Sequence, residues 1–195
     1  MAQRLKIAFI KAHWYANIVE KALEGFVAEM KQSGQQAHLV TYDVPGAFEI
    51  PLLAQRLAQT GAFDAVVGAA FVVDGGMYRA DFVSQAAVTG LMETQLKTGV
   101  PMFSVILTPH SFDGSEKQTG VFAKNFLRKG AEAALAVRAI SAINLEEGLA
   151  SLKKADAAAA AQMALDAPAA KPAAPAKPAA AAKPAAKAPA KKPAK

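Results

Sequence analysis

The chain has no cysteine and one tryptophan, and aromatic residues make up 7% of its 195 residues. Without cysteine it can form neither disulfides nor thiolate metal sites, and no thiol is available as a nucleophile. Its apolar runs are short and interrupted by charge, and the segment after Met1 lacks the apolar core of a signal peptide. These absences predict a soluble, cytoplasmic protein.

The formal net charge of +6 belongs to one end of the chain. Residues 1–150 carry 13 basic and 14 acidic side chains, whereas residues 151–195 carry nine lysines and two aspartates. The longer part is therefore almost neutral, and the basic character is confined to the C-terminal segment. We predict a domain over residues 1–150 and a separate tail over residues 151–195.

The tail consists almost entirely of alanine, lysine and proline, and it holds seven of the chain's eleven prolines. Such a composition offers too little apolar surface to form a core. We expect a helical extension at Lys153–Leu165, followed after Asp166 by a disordered, polyproline-like coil. A spacer or solubilising role is the plainer interpretation, and binding of nucleic acid or another polyanion is the alternative.

Residues 1–150 alternate between patterns typical of strands and of helices. Strands are predicted at Leu5–Ile10, Ala37–Tyr42, Phe63–Val73 and Val100–Thr108. Helices are predicted at Ala16–Met30, Phe48–Ala58, Asp81–Lys97 and Gly120–Ile143, the last divided into two segments near Lys129-Gly130. Right-handed crossovers between such elements give a four-stranded parallel sheet, so we predict a flavodoxin-like, three-layer α/β/α sandwich.

Ligands of open parallel sheets bind beyond the carboxyl ends of the strands. Four loops lie there, at residues 13–17, 43–49, 74–81 and 108–114. In the first, Trp14 either packs in the core or stacks on a planar ligand. In the second, Glu49 either belongs to an ordinary helix start or binds a polyhydroxylated ligand. The third offers backbone donors to an anion but matches neither a P-loop nor a dinucleotide-binding motif.

The three histidines, His13, His38 and His110, have no metal-ligand spacing. We therefore expect them to be structural or surface residues, and the sequence indicates no metal site. His13 and His110 lie at strand ends, which keeps them as candidates for proton transfer.

Four segments together resemble the lumazine synthase family, in the order and at the spacing of that family. They are Val44-Pro-Gly-Ala-Phe-Glu-Ile-Pro51, Gly68-Ala-Ala-Phe-Val-Val-Asp-Gly-Gly76, Val100–Thr108 and Lys129-Gly-Ala-Glu-Ala-Ala134. The similarity covers about residues 5–145 and leaves out the tail. It implies the penultimate step of riboflavin synthesis, in which a ribitylamino-substituted aminouracil condenses with a butanone phosphate without metal or organic cofactor. A flavin- or lumazine-binding storage protein of low activity is the alternative.

The resemblance also implies the residues of the site. Arg79 matches the position assigned the catalytic role in a second class of the family, found in some α-proteobacteria and built as decamers of two pentamers, whereas the commoner class has histidine there. Substrate contacts are implied for Trp14, Ala47, Phe48, Glu49, Phe71, Val72, Val73, Gly76, Met77, Ser104 and Lys129. Ser104, on the fourth strand, replaces a usual phenylalanine. Lys124 and Arg128 are further candidates for phosphate binding. Phe112, Phe122 and Phe126 are predicted subunit contacts.

Overall fold

The computed structural model describes residues 4–74, 79–143 and 145–165, and for residues 160–165 it describes the backbone alone. Its four strands are β1 (Leu5–Ala12), β2 (Ala37–Val44), β3 (Ala65–Phe71) and β4 (Met102–Leu107). They form one parallel sheet in the order β2-β1-β3-β4. This is the strand order of flavodoxin-like sheets without their fifth strand, so the predicted fold class is confirmed.

The strands alternate with helices on both faces of the sheet. These helices are α1 (Ala16–Gln32), α2 (Ile50–Gln59), α3 (Asp81–Thr98) and α4 (Glu116–Ser141), and a single 3-10 turn at Ala47–Glu49 precedes α2. Alternate residues of β1 serve the two layers: Ile7 and Phe9 belong to the cluster that includes residues of α1 and α4, while Ala8 and Ile10 belong to the cluster of α2 and α3. The central strand β3 is buried along its whole length, which explains its continuous apolar run.

Helix α4 runs without a break, so the predicted division near Gly130 is wrong. The reason is its packing on α1: a Cβ atom at Gly130 would lie 1.8 Å from the carbonyl oxygen of Ala22. Gly25 on α1 is in the same situation, since its Cβ would lie 1.9 Å from the carbonyl oxygen of Leu127. Both glycines therefore permit close approach of two helix backbones and do not end a helix.

Phe126, one turn before Gly130, is only 1% exposed and packs inside the core. Its prediction as a subunit contact is therefore wrong, because its ring is already covered within one chain. Helix α4 begins at Ser115, whose side chain accepts a hydrogen bond from the backbone N–H of Gln118 at 3.2 Å.

The second unit of the chain begins at Glu146. Its described part is helix α5 (Leu145–Leu165), which starts one residue earlier, and all side chains of this helix as far as residue 159 are exposed. The helix contains Lys153–Leu165, for which the alanine content predicts helix. The segment from Asp166 onward, predicted to be disordered, lies outside the described residues. Among the helices described, none is long and apolar enough to cross a membrane.

Candidate active site

The carboxyl end of β1 continues into a turn that carries Trp14. Tyr15, with φ 56°, adopts the left-handed conformation, and its carbonyl oxygen accepts the N–H groups of Ile18 and Val19 at 2.9 and 3.0 Å. This residue turns the chain abruptly from strand to helix and leaves the Trp14 side chain 64% exposed. Trp14 is therefore not a core residue.

The Trp14 turn is hydrogen-bonded to the loop that follows β2. The His13 N–H donates to the carbonyl oxygen of Val44 at 2.8 Å, and the Trp14 N–H donates to that of Pro45 at 3.4 Å. Further along this loop, the backbone N–H of Gly46 donates to the Glu49 carboxylate at 2.9 Å. The two loops therefore continue the pairing of β1 with β2 beyond the ends of the strands.

A cavity of about 260 Å³ lies at this edge of the sheet. Its walls come from the ends of β1 and β3, the two loops and the start of α3, through Ala12, Trp14, Tyr15, Ala47, Phe71, Val72, Val73, Arg79, Ala80 and Val83. The wall is mainly apolar, with a guanidinium at one side. Six of the predicted site residues border it: Trp14, Ala47, Phe71, Val72, Val73 and Arg79.

The Arg79 guanidinium is held by the first turn of α3. Its Nε lies 3.1 Å from Oδ1 of Asp81, its Nη2 pairs with Oδ2 of the same carboxylate, and its Cζ lies 4.3 Å from the ring centroid of Phe82. The hydrogen bonds with Asp81 raise the pKa of Arg79, and the same bonds lower the pKa of Asp81. A guanidinium that stays charged is a poor base, but it can bind an anion through two parallel N–H groups.

Aromatic rings pack behind the Trp14 turn. Tyr15 meets Phe71 and Phe112 edge to face, with ring centroids 5.6 and 5.5 Å apart, and Phe71 meets Phe112 at 5.1 Å. Phe122 lies 5.0 Å from Phe71. Phe112 and Phe122 are half-buried, so part of each ring is open to solvent, and their role as subunit contacts stays a prediction.

Other predicted residues do not border this cavity in the described part of the chain. Phe48 and Glu49 follow Ala47 with exposed side chains, and Ser104 is exposed on the edge strand β4. Lys124 is exposed on α4, while Arg128 and Lys129 both bind Glu132, at 3.0 and 2.6 Å. The hydrogen bond with Lys129 lowers the pKa of Glu132. Gly76 and Met77 lie outside the described residues.

Four residues of the cavity wall were not predicted. Tyr15 and Ala80 lie within the predicted site loops 13–17 and 74–81, and Ala12 directly precedes the first of these loops, so the positions of the strand ends could have indicated all three. Val83 carries no signal in the sequence, because its place in the wall depends on how the start of α3 approaches the sheet.

The fold defines a doubly wound α/β protein, and its cavity lies at the carboxyl ends of the strands, where proteins of this class bind small molecules. The sequence profile of the 6,7-dimethyl-8-ribityllumazine synthase family matches residues 4–147. The chain therefore belongs to this family, whose members are transferase-type enzymes of riboflavin biosynthesis, and the resemblance noted in the sequence is confirmed.

Three relatives illustrate the similarity. The chain is 51% identical over 138 residues to 6,7-dimethyl-8-ribityllumazine synthase of Rhodococcus erythropolis, which covers 70% of this chain and 89% of that protein. It is 51% identical over 130 residues to 6,7-dimethyl-8-ribityllumazine synthase 2 of Pseudomonas syringae pv. tomato, which covers 66% of this chain and 76% of that protein. It is 42% identical over 133 residues to the protein of that name from Bradyrhizobium diazoefficiens, covering 68% and 80%.

Proposed function

We propose that the protein condenses 5-amino-6-(D-ribitylamino)uracil with 3,4-dihydroxy-2-butanone 4-phosphate to give 6,7-dimethyl-8-ribityllumazine, with loss of phosphate and water. The observation that carries this proposal is the cavity bordered by the mostly exposed Trp14, the apolar end of β3 and Arg79 in a chain of this family. The remaining contacts are proposals that rest on the resemblance to the family together with this geometry.

The aminouracil ring stacks on Trp14 in this proposal. The indole is mostly exposed yet borders the cavity, together with the strand end Phe71-Val72-Val73. An exposed aromatic face gains from covering a planar ring, and the apolar strand end excludes water from the other side of it.

Glu49 and the adjoining Phe48 serve the ribityl chain. The Glu49 carboxylate accepts one backbone N–H from Gly46, and a carboxylate can accept further bonds from hydroxyl groups. We expect Glu49→Gln to discriminate less well against pyrimidines that lack ribityl hydroxyls, because an acceptor left unpaired in the site is costly. Competition between ribityl and deoxyribityl analogues measures this. An equal loss of affinity for ribityl and deoxyribityl analogues in Glu49→Gln would show that Glu49 only caps the turn.

Arg79 stabilises the phosphate or the oxyanion that develops during the condensation, because its charge is permanent and its pairing with Asp81 fixes the orientation of the guanidinium. Proton transfer then falls to water, to the substrate phosphate, or to His13, His110 or Lys129. Lys124, Arg128 and Lys129 do not border the cavity of their own chain, so they touch substrate only if a second copy brings them to the site.

The proposed assembly is a pentamer or a decamer of two pentamers. Helix α3 exposes Val88, Met92 and Leu96 at successive four-residue intervals, a stripe that a second copy would cover. Native mass spectrometry and light scattering at micromolar concentration measure the assembly. An active monomer would contradict it.

A steady-state assay of lumazine formation tests the proposed function, with the full chain and with a variant ending at residue 165. We expect both to turn over the two substrates. A folded protein that binds lumazine or flavin tightly but forms no product would instead support the storage alternative. For the tail itself, a spacer role and polyanion binding both stand as proposals, and the salt dependence of DNA binding separates them.

A further inference from the structure

We propose that Gly46 is a positioning residue for Trp14. Because Gly46 has no side chain, the indole can lie directly on the backbone of the loop at residues 43–49. This contact fixes the position of the ring at the edge of the cavity. The inference rests on the proposed function, in which Trp14 stacks on the aminouracil, and it adds a residue that does not itself contact the substrate.

The contact is visible in the distances around Gly46. A Cβ atom built on it would lie 2.7 Å from Cζ3, 2.9 Å from Cε3 and 3.2 Å from Cη2 of Trp14. Real Cβ atoms essentially never approach another heavy atom closer than 3.0 Å. All three atoms belong to the six-membered ring of the indole, so this part of the ring rests on the glycine.

Backbone conformation does not require glycine at this position. Gly46 has φ −146° and ψ −172°, an extended conformation that any residue adopts. It is nevertheless buried, although it lies in a site loop. The need for glycine is therefore one of space, and the group that occupies the space is the Trp14 side chain.

The backbones on both sides of this contact are restrained, whereas the indole is not. The backbone bonds from His13 to Val44 and from Trp14 to Pro45 hold the two loops together, and the Gly46 N–H is bound to the Glu49 carboxylate. Because the indole is 64% exposed, it can move outward without disturbing the core. A methyl group at Gly46 should therefore displace the ring on an intact fold.

The test is Gly46→Ala in the full-length protein, with intrinsic fluorescence as the first measurement. Trp14 is the chain's one tryptophan, so its emission reports this site alone. We expect a shifted emission maximum, a changed acrylamide quenching constant and an unchanged unfolding midpoint. We also expect KM for the aminouracil to rise about fivefold to tenfold, part of the full effect of losing base-on-aromatic stacking, with kcat changed less than KM.

Gly120→Ala is the matched control. A Cβ at Gly120 meets nothing within 4 Å, so this variant should keep both the emission and KM of the wild type. A double-mutant cycle with Trp14→Ala then isolates the contact. If Gly46 acts through the indole, Gly46→Ala should have almost no effect on KM once the indole is absent. An equal effect in both backgrounds would overturn the proposal, as would unchanged emission and KM in folded Gly46→Ala.

Two further outcomes are separable. If Gly46→Ala does not fold, the double variant Trp14→Ala/Gly46→Ala should fold, because the colliding ring is gone, and its failure to fold would also overturn the proposal. If the wild type forms no lumazine, the proposed function fails, but the emission and quenching of Gly46→Ala still decide whether Gly46 positions the ring.

Discussion

Glycines lie against a close neighbour in two regions of the molecule. One is the interface of α1 with α4, and the other is formed by the loops that follow β1 and β2 at the site. The neighbouring groups differ between the two regions. At Gly25 and Gly130 the neighbour is the backbone carbonyl of another helix, at 1.9 and 1.8 Å from the absent Cβ. At Gly46 it is the ring of an exposed side chain. A helix backbone cannot yield without separating the layers, whereas an exposed ring can rotate away. The same added methyl group should therefore affect stability in one region and ligand geometry in the other.

The largest expected effect is that of Gly130→Ala. Overpacking a well-packed core costs about 1 to 3 kcal/mol and occasionally more, and a collision with backbone leaves little room for relaxation. We expect the free energy of unfolding to fall by about 3 kcal/mol or more, measured by urea denaturation. Gly120→Ala in the same helix should instead raise it by roughly 0.5 to 1 kcal/mol, since alanine is the better helix former. Equal stability of the two variants would contradict the assignment of Gly130 to close helix packing. Equal stability of Gly130→Ala and Gly46→Ala would remove the difference between the two regions.

Arg79 should show the opposite behaviour, a large effect on turnover with little on stability. Its guanidinium and its partner Asp81 are exposed, and exposed ion pairs contribute about 0 to 1 kcal/mol to folding. We expect Arg79→Ala to lower kcat by about 100-fold, the scale for removing one donor to a developing oxyanion. Full activity in this variant would make Arg79 a bystander.

Arg79→His, which restores the commoner family residue, sharpens this result through its pH dependence. The guanidinium stays charged throughout the neutral range because the ordinary pKa of arginine lies far above it, and the hydrogen bonds with Asp81 raise that pKa further, so the wild-type rate should show no step from Arg79. An imidazole acts as a base only when neutral. The recovered rate should therefore rise with pH through about 6.5. A recovered rate with no such step would mean that the imidazole does not transfer the proton.

Lys11 links the two regions, because it lies at the carboxyl end of β1 and pairs with Glu20 on α1 and Asp43 at the end of β2. Burial lowers the pKa of Lys11, but the hydrogen bonds and charges of Asp43 and Glu20 outweigh it, and the net pKa is raised. A group whose pKa is higher in the folded state adds stability below its unfolded pKa of about 10.4, and this stability is lost as pH rises through the folded value.

We therefore expect Lys11→Met to lower the free energy of unfolding by about 1 kcal/mol at neutral pH, the scale of one net ion-pair contribution. The difference from the wild type should shrink as the pH rises beyond the raised pKa of folded Lys11, because Lys11 then becomes neutral in both states. Urea denaturation at the two pH values measures both quantities. A difference that does not depend on pH would assign the effect to packing of the lysine stem.

The sequence was sufficient for most of the fold because hydrophobic periodicity reports directly on which face of an element is buried. It predicted Ala16–Met30 for α1 and Asp81–Lys97 for α3, each within two residues of the structure. It was wrong at Gly130, since a glycine that ends a helix and one that admits a second helix look alike in one sequence. Its position after a strand end made Trp14 a site candidate, whereas Arg79 was named only through the resemblance to the family. The support of Trp14 by Gly46 could not be predicted, because it depends on the approach of two loops that follow different strands.

The smallest effect on folding and turnover should come from the tail. Residues 166–195 carry seven lysines and one aspartate, with no aromatic residue that could stack on a base. We expect a chain ending at residue 165 to keep the unfolding midpoint and kcat of the full protein. A changed kcat would show that the tail contributes to the site. The helix interface and the site loops would then be insufficient to explain turnover.

A polyanion-binding tail would be detected by affinity for duplex DNA, measured by fluorescence anisotropy across salt concentrations. If all seven lysines displace counterions, the slope of log K against log salt approaches about −6, and fewer contacts give a shallower slope. Replacing these seven lysines with glutamine is the matched control, because it keeps the length and the prolines while removing the charge. Binding that survives this replacement would place the contact in the nearly neutral part of the chain. Absence of binding in the full protein at low salt would leave the tail as a spacer.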